Sequence, residues 1–496
     1  MQANLEGKLL ASRVSEPEDL GKLTAAPTSD ALRSAWAQTL ARRRDDAAIF
    51  NTRGEVLRTF GDVDASALLL ADGVLDEVAS GDVVAIQIGN HPAWPALLLA
   101  CLRRGAVVLP LERSISSHER DAACDVCHAA ALIEDVSDDE VRLTKRGAAR
   151  VSWGEHQPIL LKLTSGTTAA PRAIRFRSAQ LIADCVQICE TMGITDRDLN
   201  FGVIPISHSY GFSNLLTPLI VRGVPLVVSR DRMPRAVLDD LARTRSTVFP
   251  GMPVFYQAFC EIESPPRLPD LRLCISAGAP LPLSAAQKFL EKFGQPIHSF
   301  YGSSECGGIC YDREAPLVEP GFVGAAMNDV IIEPLEPDAA MSRVRVRSAA
   351  AADGYFPEPD EAKLANGVFV PDDLLARSSD GFRIAGRVSD LINVAGKKVN
   401  PAEVEAALLA FDGVREAIVF GRISALRNEE VAACIVADPR VQQTDLLEFC
   451  RSRLSGWQVP KRIFFLHQMP VTERGKISRR ALAERFANGD TNPPEL

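Results

Sequence analysis

Residues 81–111, GDVVAIQIGNHPAWPALLLACLRRGAVVLPL, constrain the fold more than any other stretch of this chain. GDVVAIQI (81–88) and AVVLPL (106–111) are each about one strand long and apolar on both faces. HPAWPALLLACLRRGA (91–106) between them has the length of a helix and closes on two arginines and a glycine. Two-sided apolar strands joined by a helical crossover belong to a largely parallel sheet covered by helices. The theme continues through ILLKLT (159–164), LNFGVIPI, GVPLVVS, STVFPGMP and LRLCISAG to residue 278. Ser178 is expected to cap a helix whose apolar positions Leu181, Ile182, Cys185, Ile188 and Cys189 share one face. After about residue 330 the strands shorten (DVIIEPL, SRVRVRS, GFRIAGR), which predicts a β-rich subdomain. From about 390, two helix patterns and three strand patterns predict a small α+β unit, and the polar, Pro-rich end NGDTNPPEL predicts disorder.

Length and charge bound the function. At about 150 residues per domain, 496 residues suggest roughly three structural units. A formal charge of −9 argues against nucleic acid or an anionic membrane as the main partner. The first twenty residues lack the apolar run of a secretory signal, and Trp94 to Leu102 is too short to span a bilayer. Eleven cysteines without framework spacing fit reduced thiols, so a soluble cytoplasmic protein is expected. Cys124-Asp125-Val126-Cys127-His128 matches the covalent haem pattern, but haem attachment usually accompanies export. Chance occurrence is the favoured reading, a redox pair the next, and no metal site is inferred from these cysteines.

The stretch 160–176, LLKLTSGTTAAPRAIRF, carries the first chemistry. An apolar strand breaks into small and hydroxylated residues around Gly166, so backbone N–H groups and several hydroxyls can converge on one point. Such a nest suits the oxygens of a polyphosphate, and Arg172 and Arg175 add charge for it. It lacks the Gly-Lys-Ser/Thr of the Walker pattern. By itself it is equally a polar loop after a buried strand.

With YGSSE (301–305), GYF (354–356), GRVSDLINVAGKKVNPAEVE (386–405) and PVTERGKISR (470–479) following in order, nearly the whole chain resembles the acyl-adenylate-forming superfamily. Its members are acyl- and aryl-CoA ligases, luciferase-like enzymes and peptide-synthetase adenylation domains. The resemblance implies an α/β fold: a large N-terminal adenylation domain (1–388) of layered, mostly parallel sheets with a β-rich subdomain, and a small mobile α+β C-terminal domain (389–496). It implies ATP-dependent activation of a carboxylic acid as acyl-AMP with pyrophosphate release, then transfer to a thiol. CoA is the default acceptor and a carrier-protein phosphopantetheine the alternative. ATP, Mg²⁺ and CoA are the implied cofactors. The chemistry asks for positioning and charge stabilisation at the α-phosphate rather than covalent work by side chains.

Residue by residue, the resemblance implies the following roles. Thr164, Ser165, Gly166, Thr167 and Thr168 form a loop over the β- and γ-phosphates, with Arg172 where the family has Lys. Ala169 and Ala173 stand where it has Gly. Tyr301 stacks on adenine, Gly302, Ser303 and Ser304 approach the α-phosphate, and Glu305 holds Mg²⁺. Gly278, Ala279 and Pro280 line the adenine and acyl pockets with backbone. Asp373 grips the ribose hydroxyls, although Asp372 is adjacent, and Arg387 makes a second ribose or phosphate contact. Lys476 reaches the carboxylate and α-phosphate. A hinge close to Ser389 exchanges it for Gly396, which leaves a tunnel for a pantetheine arm, and Lys398, which neutralises phosphate. Asn393 leans towards thioester formation. In His208-Ser209-Tyr210-Gly211-Phe212, His208 gates the acyl site, with Met252, Phe255, Tyr256 and Phe300 as further walls or as plain core. No Asp in that region resembles the amino-group anchor of amino-acid-activating domains, which makes an amino acid the less favoured substrate. A nucleotide-binding regulator without turnover is the rival from another class, motivated by Ala169 and Ala173.

Overall fold

A computed structural model describes residues 31–137, 140–164, 172–315, 319–394, 397–424, 428–470 and 479–486. Ser165, Gly166, Thr167, Thr168, Ala169, Gly396, Lys476 and the polar tail lie outside the described residues.

Two large sheets dominate. In the first, of eleven strands among the described residues, Leu226–Val228, Asn200–Gly202, Val248–Gly251, Leu273–Ser276 and Ile297–Ser303 run parallel. The chain then turns back in Gly307–Tyr311, and Phe322–Ala326, Gly381–Arg387 and Asp373–Ser378 extend the edge antiparallel. The second sheet has Leu160–Leu163, Val107–Pro110, Val83–Ile86 and Ala129–Val136 parallel at its centre. Ala173–Phe176 and then Gly354–Phe356 add on antiparallel at one edge. The expected two-sided burial holds: Val83–Ile86 and Val107–Pro110 are buried at every position.

One apolar cluster joins both sheets through the helices between them, Trp94–Arg104 and Ser178–Met192. Trp94 through Leu102 are all buried, which explains a helix without a polar face. Ser178 is the first helical residue rather than the cap. Arg177 holds the cap position in extended geometry, and its N–H donates to the Gln180 side chain at 2.7 Å. The far face of the second sheet has its own core, where Cys124 and Cys127 are fully buried with Val83, Leu109 and Leu161. Burial pushes the Cys127 thiol up to about 12, which suits structural packing rather than redox exchange.

Past residue 330, Val344–Arg347 alternates buried and exposed between short antiparallel partners, as the sequence predicts. The C-terminal unit packs Pro401–Leu409 and Gln443–Arg453 around Val414–Ser424 and Asn428–Ala437, with a separate apolar core. It abuts the large unit at Gly386, where a Cβ would fall 2.5 Å from the Asn400 side-chain oxygen; Asn400 also donates to the Ala385 carbonyl at 2.6 Å. Among the described residues no helix is long and apolar enough to cross a membrane.

Candidate active site

Parallel strands leave their polar ends together, and ligands collect where those ends open. Five segments named by the sequence leave strands in this way: 203–208, 252, 277–280, 304–305 and 164.

The loop candidate springs from a tight hairpin. Thr164 donates to the Arg172 carbonyl with its N–H at 2.8 Å and its hydroxyl at 3.2 Å, so the two residues form the neck. The Arg172 guanidinium lies 4.3 Å from the Tyr355 ring centroid and donates to the Glu358 carbonyl at 3.1 Å. Its Nε and that of Arg175 are buried without a hydrogen-bond partner among the described residues. Tyr355 sits on the edge strand opposite Ile174, and its hydroxyl donates to Glu305 Oε1 at 3.1 Å. Thr164, Arg172, Tyr355 and Glu305 are thus one assembly. Burial pushes the Glu305 carboxyl above its usual range, against the hydrogen bond from Tyr355. The hairpin carrying Glu305 is fixed by Ser303, whose hydroxyl accepts from the N–H groups of Glu305 and Cys306 at 3.2 Å each.

Four residues before Glu305, Tyr301 belongs to a second cluster. Its hydroxyl donates to Asp373 Oδ2 at 2.7 Å, while Arg387 Nε donates to Oδ1 at 2.6 Å. Asp373 and Arg387 are register partners, whereas Asp372 points elsewhere and pairs with Lys363 at 2.5 Å. Burial, then the Asp373 charge, raises the Tyr301 phenol well above its usual range.

His208, exposed, caps the turn Ser209–Gly211 by accepting the Tyr210 N–H at 3.3 Å. A Cβ on Gly211 would sit 2.0 Å from the Pro205 carbonyl oxygen, so only glycine lets the chain turn here. Ser209 donates to Ser304 at 2.8 Å, and the Tyr210 ring lies 5.9 Å from that of Phe300. Those contacts tie the His208 segment to the hairpin. Gly278, Ala279 and Pro280 are exposed, with Gly278 at φ +87°. Phe255 and Tyr256 are plain core: Tyr256 is fully buried and bonded to the Phe249 and Ile275 carbonyls. Lys398 is exposed and makes no hydrogen bond or ion pair with a described residue, while Lys397 lies over the Trp457 ring at 3.7 Å.

Three residues here escaped a role at the level of sequence. Tyr355 was legible only as part of GYF. Lys162 and Asp184 are buried, and their signal is a charge inside an apolar strand and on the core side of an apolar helix.

The fold has counterparts among known proteins. Residues 36–356 match the AMP-binding enzyme family, and residues 403–476 match the AMP-binding enzyme C-terminal domain. A feruloyl-CoA synthase of Amycolatopsis sp is 28% identical over 91% of this chain and 98% of its own length. An oxalate–CoA ligase of Arabidopsis thaliana is 25% identical over 82% of this chain and 89% of its own. The crystal structure of ATP-bound MatB from Rhodopseudomonas palustris superposes with a TM-score of 0.80 at 22% identity, covering 92% of this chain and 99% of that one. The chain belongs to the AMP-binding enzyme family, whose catalytic and C-terminal parts it carries in order.

Proposed function

We propose that this chain is an AMP-forming acid–thiol ligase that joins a carboxylic acid to AMP with release of pyrophosphate and then passes the acyl group to a thiol, CoA in the first instance. The observation that carries this reading is the pair of clusters rooted in residues 301–305. Tyr301, Asp373 and Arg387 suit one end of a nucleotide, Glu305, Tyr355 and Arg172 the other. The relatives named for feruloyl-CoA and oxalate–CoA chemistry support the same reaction class.

In this reading Asp373 offers two carboxylate oxygens to vicinal ribose hydroxyls, which replace Tyr301 and Arg387 as its donors. Arg387 stays close enough to meet a phosphate, and Tyr301 presents its ring to adenine. Thr164 to Thr168 with Arg172 hold the β- and γ-phosphates, and the Nε of Arg172, without a partner among the described residues, is one donor ready for them. Gly278 to Pro280 line the adenine with open backbone, while Gly302, Ser303 and Ser304 approach the α-phosphate. Glu305 fits a hard cation, since its buried carboxylate, oriented by Tyr355, offers hard oxygen donors. Mg²⁺ held there would neutralise charge on the triphosphate. Lys476 donates to the carboxylate and α-phosphate during adenylation, and His208 gates the acid.

The parts 1–388 and 389–496 act as separate bodies. Rotation near Ser389 brings Gly396 and Lys398 forward for the thiol. Eleven unpaired cysteines support a reducing, cytoplasmic setting. A carrier-protein thiol is the alternative acceptor, and a regulator that binds nucleotide without turnover is the rival outcome.

Pyrophosphate release from ATP and Mg²⁺ across aryl, short, medium and long-chain acids, each with and without CoA, tests the proposal. Release accelerated by CoA is expected for one acid class. Release indifferent to CoA would transfer the acceptor role to a carrier protein. Bound ATP with silence across the panel would overturn the enzyme reading.

A further inference from the structure

Lys363 stands between the two clusters of the candidate site. The segment 357–363 leaves the edge strand Gly354–Phe356 beside Arg172, whose guanidinium donates to the Glu358 carbonyl at 3.1 Å. It closes at Lys363, whose N–H donates to the Asp360 carbonyl at 3.1 Å and whose carbonyl accepts the Val370 N–H at 2.9 Å. Leu364, next in the chain, is fully buried and pairs with Phe369. The base of the Lys363 side chain is therefore fixed, while its four-carbon stem can swing.

The Lys363 ammonium meets Asp372 Oδ2 at 2.5 Å, one residue before the Asp373 that bonds Tyr301 and Arg387. Its charge is also felt at Glu305. Burial raises that carboxyl, and Lys363 is a cation whose attraction opposes the rise. One lysine thus lies beside the cluster of Asp373 and within electrostatic reach of the cluster of Glu305.

The two cations at this end of the site are held differently. Arg172 is fixed by the Tyr355 ring and the Glu358 carbonyl. Lys363 is held by Asp372, whose side chain is 48% exposed, and an ion pair so open to water contributes little. A phosphate carries more charge than one carboxylate and accepts bonds at several oxygens, so it competes well for this ammonium.

We infer that Lys363 is a second phosphate-binding cation of the site: it leaves Asp372 for the β- or γ-phosphate when ATP binds, and returns once pyrophosphate has gone. This rests on the ligase reading above and adds to it a residue outside the loop 164–172. Asp372 then serves as the resting partner of the lysine and competes with the nucleotide for it.

An ion pair that merely closed the segment 357–363 would suffer alike from loss of either partner, whereas competition makes the two losses opposite in sign. Calorimetric binding of ATP and of AMP, with Mg²⁺ and without acid, separates the two and needs no turnover. Lys363→Met is expected to weaken ATP about 10-fold, the scale of one charge-assisted bond, and to leave AMP as in the intact chain. Inorganic pyrophosphate should lose affinity by a similar factor. Asp372→Asn, which frees the lysine, should bind ATP at least as tightly as the intact chain, and Lys363→Arg should keep most of the ATP affinity. Unaltered ATP binding in Lys363→Met overturns the inference. So does equal weakening of ATP and AMP, or an Asp372→Asn chain that weakens ATP as Lys363→Met does. These outcomes leave the ligase reading standing. The expected pattern without pyrophosphate release from any acid would remove the ligase reading and keep Lys363 as a phosphate cation. An intact chain that binds neither nucleotide overturns both.

Discussion

The Tyr355 hydroxyl stands 3.1 Å from Glu305 Oε1 while the ring beneath it carries the Arg172 guanidinium at 4.3 Å. One side chain on an edge strand thereby orients an anion from the first sheet and a cation from the second. A hydrogen bond to a charged group contributes about 1.5–3 kcal/mol. Tyr355→Phe keeps the ring under Arg172 and removes only that bond. It is expected to lower kcat/KM for ATP in pyrophosphate release about 10–100-fold, with little change in melting temperature. A rate equal to that of the unmodified chain would remove Tyr355 from the account.

Asp373 is expected to recognise the sugar, since both its oxygens face donors that ribose hydroxyls can replace. Asp373→Asn should raise KM for ATP about 10-fold or more, the scale of one lost charge-assisted bond. The sharper measurement compares ATP with its 2′- and 3′-deoxy analogues. The intact chain should discriminate against both, and the variant should lose that discrimination. Retained discrimination in Asp373→Asn would place ribose recognition elsewhere.

Lys476 lies in the motif PVTERGKISR. Lys476→Ala is expected to slow adenylation by about 10²–10³-fold, the loss of one transition-state donor. Transfer from preformed acyl-AMP to CoA should be nearly unchanged, because the proposed rotation withdraws this lysine. An unaltered adenylation rate would refute the role.

Burial lowers the Lys162 ammonium from 10.5 to about 8, with Asp184 offsetting part of the shift. Because the folded value lies below the unfolded one, the charged amine destabilises the fold fully below pH 8. That penalty fades as pH rises from 8 towards 10.5. Lys162→Met should therefore raise stability at pH 7 by up to about 3 kcal/mol, and the gain should shrink above pH 8. A denaturant titration at pH 7 and at pH 9.5 measures both. A variant less stable at pH 7 would mean that the Phe176 and Phe212 rings beside it and Asp184 already compensate the charge.

Much of the architecture was legible because its signals are local. A two-sided apolar strand, a helix of crossover length and a second strand specify parallel pairing within thirty or so residues. Asp373 was named over the adjacent Asp372 from the motif alone; what the motif could not show is the pairing, in which Asp373 stands in register with Arg387 and Asp372 pairs with Lys363. Tyr355 and Glu305 are fifty residues apart in sequence and meet only because the edge strand Gly354–Phe356 adds to Ala173–Phe176. The helix Ser178–Met192 was legible by its apolar face alone, yet it is covered on both sides by sheets, so its polar positions Asp184 and Gln187 are buried too. Periodicity shows which face is apolar, but not whether the opposite face is also enclosed.

The C-terminal unit carries a pH response of its own. Glu405 accepts the Val419 N–H at 2.7 Å and pairs with Arg479 at 2.9 Å, three residues beyond Lys476. Burial raises its carboxyl from 4.5 to about 7, against the attraction of Arg479. For an acid whose folded value is raised, the folded state keeps its proton where the unfolded chain has lost it. Stability is therefore greatest below pH 4.5 as far as this group is concerned, falls as pH rises through 4.5 to 7, and levels off above. Amide exchange of the strand Val414–Ser424, corrected for the intrinsic rate, should be slower at pH 5.5 than at pH 7.5. Glu405→Gln should flatten that dependence, since its amide can still accept from Val419 and no longer titrates. A slope of opposite sign in the unmodified chain would show that Arg479 holds Glu405 ionised throughout, and that the tether next to Lys476 does not loosen with pH.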